Sequence, residues 1–190
     1  MGVLYVLARA EADFTAPGLN ALLPEKGSLA GVRKALVRLV EQGIVVEKLA
    51  GRTHTYSLNQ DHLLADYVKS MASAKELLSE RTKQTVRAWE FRPIVVTIFG
   101  SAVRNDMRTD SDIDLFIALP DAVDELQAET RIADLAAGLS AWTGNDTRPL
   151  VYRESEVAPA PIFDSIVSEG QTIYGDGKWL KRKLRGAQAA

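Results

Sequence analysis

The sequence contains no cysteine, which excludes disulfide bonds, thiolate zinc fingers and thiol nucleophiles. Its two histidines, His54 and His62, are too few and too near a predicted turn to indicate a zinc site. It has no apolar run long enough to span a bilayer and no basic, apolar leader, so we expect a cytoplasmic protein with no membrane partner. The formal net charge of −2 argues against general attraction to nucleic acid, so any such binding requires a local basic patch.

The first half of the chain has the spacing of short helices followed by a hairpin. Residues 1–9 and 15–23 are predicted to be helical, and Ser28 is predicted to cap a third helix that ends at Gly43. Two strands with a polar turn between them should follow over residues 44–58. Residues 61–90 lack glycine and proline, which predicts one long helix.

The central stretch, residues 94–118, contains the residues that carry chemistry. Two β-branched apolar runs flank Gly100 and an Asp-x-Asp pair, which predicts a strand, a turn of phosphate size and a second strand. Alternation along a strand places Asp112 and Asp114 on one face, while Ile113 points into the core. Two adjacent carboxylates repel each other unless a cation lies between them, and hard oxygen ligands suit Mg²⁺.

This motif resembles the nucleotidyltransferase superfamily that shares the DNA polymerase β palm, in particular its small bacterial members. The resemblance is carried by Gly100, Ser101, Arg104, Ser111, Asp112, Asp114 and Leu115. It implies that Asp112 and Asp114 hold Mg²⁺ for the transfer of NMP from ATP or another NTP to a hydroxyl group. The phosphates are then expected to be bound by Gly100, Ser101, Arg104 and Ser111.

In that superfamily, a third carboxylate on the next strand completes the catalytic site. Here the middle of the predicted third strand, Thr147 to Tyr152, holds Arg148 and Pro149 in its place. Asp146, just before the strand, is the better catalytic candidate by position, and Glu154 is the weaker one. A third possibility is that neither acid reaches the metal. Pro149 also predicts that this strand lies at a sheet edge or contains a bulge.

Residues 1–60 resemble the bacterial winged helix-turn-helix regulators, in which the third helix enters the major groove of double-stranded DNA. The resemblance is carried by residues 28–45 and by a wing that ends at Tyr56. It implies a homodimer that reads two half-sites. The residues expected to contact DNA are Ser28, Arg33, Lys34, Arg38, Arg52 and His54.

The sequence therefore predicts an α+β protein built from a winged helix, a linker helix and a polymerase-β-like domain with a small mixed sheet. The predicted boundaries are 1–60 for the winged helix, 61–91 for the linker helix, 92–176 for the nucleotidyltransferase domain and 177–190 for a basic tail. Within the third part, helices are predicted over residues 121–143 and 162–168.

We interpret the chain as a DNA-binding transcription regulator that carries a Mg²⁺-dependent nucleotidyltransferase. Two alternatives stay open. In one, neither Asp146 nor Glu154 reaches the metal, and the nucleotidyltransferase-like domain only binds nucleotide because the acceptor lacks its base. In the other, the chain is an antitoxin that represses its operon and modifies a toxin, so that the acceptor hydroxyl belongs to a protein. The resemblance also implies aminoglycosides and tRNA ends as acceptors, and nothing in the sequence chooses among them.

Overall fold

The computed structural model describes residues 2–24, 27–100 and 112–188. The chain folds into two compact units, Met1–Glu76 and Leu77–Ala190. Among the described residues, no helix is both long and apolar enough to cross a membrane.

The described residues of the first unit form helices and a hairpin. In chain order its elements are α1 (Gly2–Arg9), α2 (Ala16–Leu22), α3 (Leu29–Glu41), β1 (Val45–Ala50), β2 (Thr53–Leu58) and α4 (Ala65–Ala72). Thr15 caps α2 and Ser28 caps α3, because each hydroxyl accepts a hydrogen bond from a backbone N–H three residues later. The strands β1 and β2 pair antiparallel, and an isolated bridge joins Phe14 to Tyr56. The helices and hairpin expected over residues 1–58 are therefore present.

The prediction of a single helix over residues 61–90 is wrong. The structure has α4, and then α5 (Ala74–Arg87), with Ser73 between them. The Ser73 N–H is shared between the carbonyls of Lys69 and Ser70, and its hydroxyl donates to the same Lys69 carbonyl at 3.1 Å. The shared N–H is typical of a helix terminus. The hydroxyl bond also occurs inside continuous helices, as at Ser70 and Thr82, so it does not by itself explain the break.

The second unit contains a four-stranded mixed sheet with the strand order β5-β4-β3-β6. After α5, its elements are β3 (Val95–Phe99), β4 (Ile113–Leu119), α6 (Glu125–Thr143), β5 (Thr147–Arg153), α7 (Pro161–Glu169), β6 (Gln171–Gly175) and α8 (Trp179–Gln188). β4 pairs antiparallel with β3 and parallel with β5. The predicted edge position of the strand that contains Pro149 is confirmed, because β5 is the outer strand of the sheet.

Both faces of β4 are covered, which fixes its side-chain alternation. Ile113 and Leu115 belong to a fully buried cluster that includes Leu135 and Leu139 of α6. Phe116, on the opposite face, belongs to a second cluster with residues of α7 and α8, and its ring lies 5.9 Å from that of Phe163. A one-residue slip of β4 would turn both aspartates into the apolar cluster packed against α6, so the register is strongly specified.

Two elements near the C-terminus differ from the sequence prediction. No strand is predicted over Gln171–Gly175, yet this segment forms β6 and pairs with β3. The segment predicted as a basic tail forms the helix α8, in which Leu180 is buried in the core. Its cationic residues alternate with apolar ones at helical spacing, so the charge of the segment conceals an amphipathic pattern.

Candidate functional site

Gly100 and Asp114 are brought together by the antiparallel pairing of β3 and β4. Phe99, the last residue of β3, is directly opposite Asp114 in the register, so Gly100 lies beside the start of β4. Gly100 has φ = 73°, a left-handed conformation that side chains with a Cβ rarely adopt. A Cβ at this position would lie 2.3 Å from Oδ2 of Asp114. Glycine is therefore required here by its backbone conformation and also by the close approach of the carboxylate.

The two carboxylates of the Asp-x-Asp pair lie on one face of the sheet, as strand alternation predicts. Asp112 immediately precedes β4 and Asp114 is its second residue, and both are partly exposed. Ile113 between them is completely buried on the opposite face. The alternation confirms the predicted inward direction of Ile113 and leaves both carboxylates at an accessible end of the sheet.

An arginine from the edge strand faces this carboxylate pair. Parallel pairing places Arg148 of β5 directly opposite Asp114, so the two side chains share a face. Nη1 of Arg148 lies 2.9 Å from Oδ2 of Asp112, and the side chains of Arg148 and Asp112 are 70% and 30% exposed. The sequence alone identifies Arg148 only as the residue standing where an acid was expected. Its pairing follows from the register of two strands that are distant in sequence.

The two candidate third acids lie at opposite ends of β5. Asp146 directly precedes the strand, and its carbonyl accepts a hydrogen bond from the N–H of Ile113 at 2.7 Å, so its backbone lies at the aspartate end. Glu154 follows the strand, next to Arg153, which pairs with Leu119 at the far end of β4. At about 3.3 Å per residue, Glu154 is on the order of 20 Å from the aspartates along the strand.

Among the described residues, no group of three or more Asp, Glu or His side chains is placed to hold a metal ion. The catalytic role of Asp146 therefore stays a prediction. Three other residues predicted to bind nucleotide, Ser101, Arg104 and Ser111, lie outside the described residues.

The donor set at Asp112 and Asp114 fits a hard divalent cation in its chemistry, because two carboxylates on one face offer charged oxygen ligands. Mg²⁺ usually takes one or two carboxylates from the protein and the rest from water and substrate phosphates. Arg148 is a competing cation at the same carboxylate. Asp112 and Asp114 can therefore hold a metal, and the Arg148 guanidinium lies where a third acid would otherwise add a ligand.

The basic residues predicted to contact DNA lie in the first unit. On α3, Arg33, Lys34 and Arg38 are exposed, as is Arg52 in the turn of the hairpin. Ser28 uses its hydroxyl oxygen to accept the hydrogen bond from the N–H of Gly31 at 3.0 Å. The structure thus leaves these four cationic side chains accessible to solvent.

The remaining residue of that set, His54, is engaged within the hairpin. Its Nδ1 lies 3.0 Å from Oε1 of Glu47, which also accepts a hydrogen bond from the hydroxyl of Tyr56 at 2.8 Å. Burial and then this hydrogen bond raise the pKa of Tyr56. The Glu47 carboxylate at this distance lowers the net positive charge of the hairpin at this point, which weakens its attraction for a phosphate.

Solved structures provide distant similarity to part of the chain. A toxin–antitoxin complex with AMP-PNP contains a chain that is 15% identical, with a TM-score of 0.43, and the match covers 58% of this chain and 84% of that one. A complex of tri-AMPylated Shewanella oneidensis HEPN toxin with MNT antitoxin matches at 16% identity, with a TM-score of 0.41 and coverages of 60% and 84%. A comparison with curated protein sequences finds no significant match.

The family comparison covers the unit that contains the paired aspartates. The model described as polymerase beta, nucleotidyltransferase, matches residues 80–178, slightly more than half of the chain. The matched region begins within α5 and includes β3, β4 and the whole of the mixed sheet. The chain therefore belongs to the polymerase beta nucleotidyltransferase family.

Proposed function

We propose that the chain transfers a nucleoside monophosphate from ATP or another NTP to a hydroxyl group of a partner protein. The observation that carries this proposal is the pair Asp112 and Asp114 at the start of β4, beside a glycine that leaves room for the second carboxylate. Membership of the nucleotidyltransferase family supports the class of reaction. We propose further that this partner protein is a toxin, so that the chain is the antitoxin that modifies it.

In this reaction, the acceptor oxygen forms a bond to the α-phosphorus and the bond from that phosphorus to the departing pyrophosphate breaks. Asp112 and Asp114 would hold Mg²⁺, which when bound neutralises phosphate charge and lowers the pKa of a hydroxyl. We propose that Asp146 accepts the hydroxyl proton, since its backbone lies at the aspartate end of β5.

The phosphates are assigned to the segment that follows β3. Gly100, Ser101, Arg104 and Ser111 would bind the β- and γ-phosphates, because backbone N–H, hydroxyl and guanidinium groups donate to phosphate oxygens. This binding orients the α-phosphorus toward the acceptor and excludes water from the in-line position.

The test is transfer of label from α-labelled ATP to the protein encoded by the neighbouring gene, with aminoglycosides and tRNA supplied as competing acceptors. Asp112→Asn and Asp114→Asn should each reduce transfer by at least about 100-fold, because both keep the shape of the site and remove a charge. Asp164→Asn removes the same charge from an exposed position of α7 and should leave transfer unchanged. Label that persists in both site variants would refute the assignment, and label on tRNA or aminoglycoside alone would refute the protein acceptor.

A second candidate function is DNA binding by the first unit, in the manner of a winged-helix regulator. One observation favours it: α3 exposes Arg33, Lys34 and Arg38 around Val37, which is 57% exposed. Cations that flank an apolar side chain on one helix face suit phosphate and base contacts in a major groove. We propose that a homodimer presents two such helices to two half-sites.

This second candidate is tested by binding of the full chain to its own promoter DNA. Affinity should fall steeply with salt, and Arg33→Ala and Arg38→Ala should each weaken it, because each removes a phosphate contact. Lys69→Ala removes one positive charge from α4 and serves as the matched control. Binding that is insensitive to salt and to both arginines would exclude this function. If DNA affinity changes with ATP while no transfer occurs, the second unit acts as a nucleotide sensor.

A further inference from the structure

The most informative feature outside the predicted machinery is the pairing of Arg148 with Asp112. We propose that the Arg148 guanidinium is a built-in cation of the site, which opposes binding of a bare divalent metal until a nucleotide triphosphate draws the guanidinium onto its phosphates. This inference rests on the proposed function, because it assigns the regulation of the same site. Metal and nucleotide should then bind interdependently.

The position of Arg148 is fixed by its backbone. It pairs with Asp114 in the register of β5 and β4, and its side chain reaches Asp112 at 2.9 Å on the same face of the sheet. Pro149 follows it, and a residue before proline is restricted to extended conformations. The strand therefore presents the guanidinium to the carboxylates with little backbone freedom.

The ion pair makes little contribution to the stability of the fold, because both groups are partly exposed and water screens them. Its effect is on the charge of the site. A guanidinium and a divalent metal that share Asp112 repel each other, and charges a few ångströms apart in water already change an affinity by about tenfold. The conflict is removed when phosphate oxygens accept the guanidinium, which binds them in a bidentate geometry.

The experiment measures Mn²⁺ binding to the full chain by electron paramagnetic resonance, with and without a non-hydrolysable ATP analogue. Without nucleotide, Arg148→Gln should bind Mn²⁺ about tenfold more tightly than the wild type, since the repelling charge is gone. Arg148→Lys keeps the charge and should stay within about threefold of the wild type. Lys181→Gln removes a positive charge from an exposed position of α8 and should behave as the wild type.

The measurements with the ATP analogue test whether nucleotide draws the Arg148 guanidinium away from Asp112. In the wild type, the ATP analogue should increase Mn²⁺ affinity strongly, whereas in Arg148→Gln the increase should be about tenfold smaller, because no guanidinium is released from Asp112. Thermal unfolding of each variant checks that the second unit is folded, and Arg148→Lys provides a second folded variant at the same position. An equal effect of nucleotide in both proteins would overturn the interdependence.

The outcomes separate this inference from the proposed function. Equal Mn²⁺ affinity in the wild type and Arg148→Gln overturns the role of Arg148, even if label is transferred to the acceptor protein. The expected Mn²⁺ pattern together with no transfer to any acceptor overturns the proposed function and supports Arg148 as a cation that controls a nucleotide-binding site. Failure of every variant to bind Mn²⁺, with or without nucleotide, overturns both.

Discussion

Replacing Gly100 with alanine is expected to weaken nucleotide binding in addition to lowering the free energy of unfolding. The backbone at Gly100 has φ = 73°, and a residue with a Cβ in this left-handed region costs about 1–2 kcal/mol. The added Cβ would also lie 2.3 Å from Oδ2 of Asp114, closer than real contacts of this kind allow. The Asp114 carboxylate must therefore rotate or move away.

Gly144, which ends α6, offers a matched control for the backbone part of this effect. It has φ = 76°, and a Cβ there would meet nothing within 4 Å. Gly144→Ala should thus cost the same ~1–2 kcal/mol without touching the site. The smaller freedom of alanine in the unfolded chain is shared by both variants and cancels in the comparison.

The assay combines urea unfolding with calorimetric titration of a non-hydrolysable ATP analogue in the presence of Mg²⁺. Both alanine variants should lose a similar free energy of unfolding, while the affinity for the analogue falls by at least about tenfold in Gly100→Ala only. The reason is that the displaced Asp114 carboxylate no longer faces the same space as Asp112. Normal nucleotide affinity in a folded Gly100→Ala protein would refute the reasoning.

Three further variants test the fold of the second unit. Leu135→Ala, in the fully buried face of α6, should lower the free energy of unfolding by about 2–5 kcal/mol in a urea titration. Asp124→Ala should cost about 1 kcal/mol in the same assay, since its carboxylate accepts the N–H of Gln127 at the start of α6. The N–H and hydroxyl of Ser155 lower the pKa of Asp121 below its ordinary 3.8. The stability that this carboxylate contributes above pH 3.8 is therefore lost on acidification. Asp121→Asn should make acid unfolding, monitored by circular dichroism, less steep. Unchanged midpoints in all three would contradict the packing and hydrogen bonds described above.

Local patterns predicted the parts of the site that depend on neighbours in sequence. The alternation of residues 112–118 was sufficient to place Asp112 and Asp114 on one face and Ile113 on the other, because successive side chains of a strand point to opposite faces. Gly100 was predicted to leave room for a phosphate, which stays a prediction, whereas the structure shows that its missing Cβ makes room for Asp114. The alternation requires no knowledge of the rest of the sheet, but the approach of Gly100 to Asp114 depends on the pairing of β3 with β4.

Features that depend on distant residues were missed. β6 is short and flanked by glycines, so only its pairing with β3 defines it as a strand. The charge of α8 predicted a tail, although its apolar residues complete the core beside α7. In both cases tertiary contacts override a local preference. The break between α4 and α5 lies in a segment whose composition favours helix throughout, so the sequence does not predict it.

At Arg148 the sequence shows a departure from the family pattern but not what the arginine contacts. Counting residues along the third strand identifies a cation where an acid was expected, but only the parallel register with β4 shows that this cation meets Asp112. A neutral residue there would increase the repulsion between the two carboxylates, and a third acid would increase it further until a metal arrived. The guanidinium reduces that repulsion without a metal. Under the inference above, phosphates that accept the guanidinium raise the affinity of the carboxylates for a divalent cation.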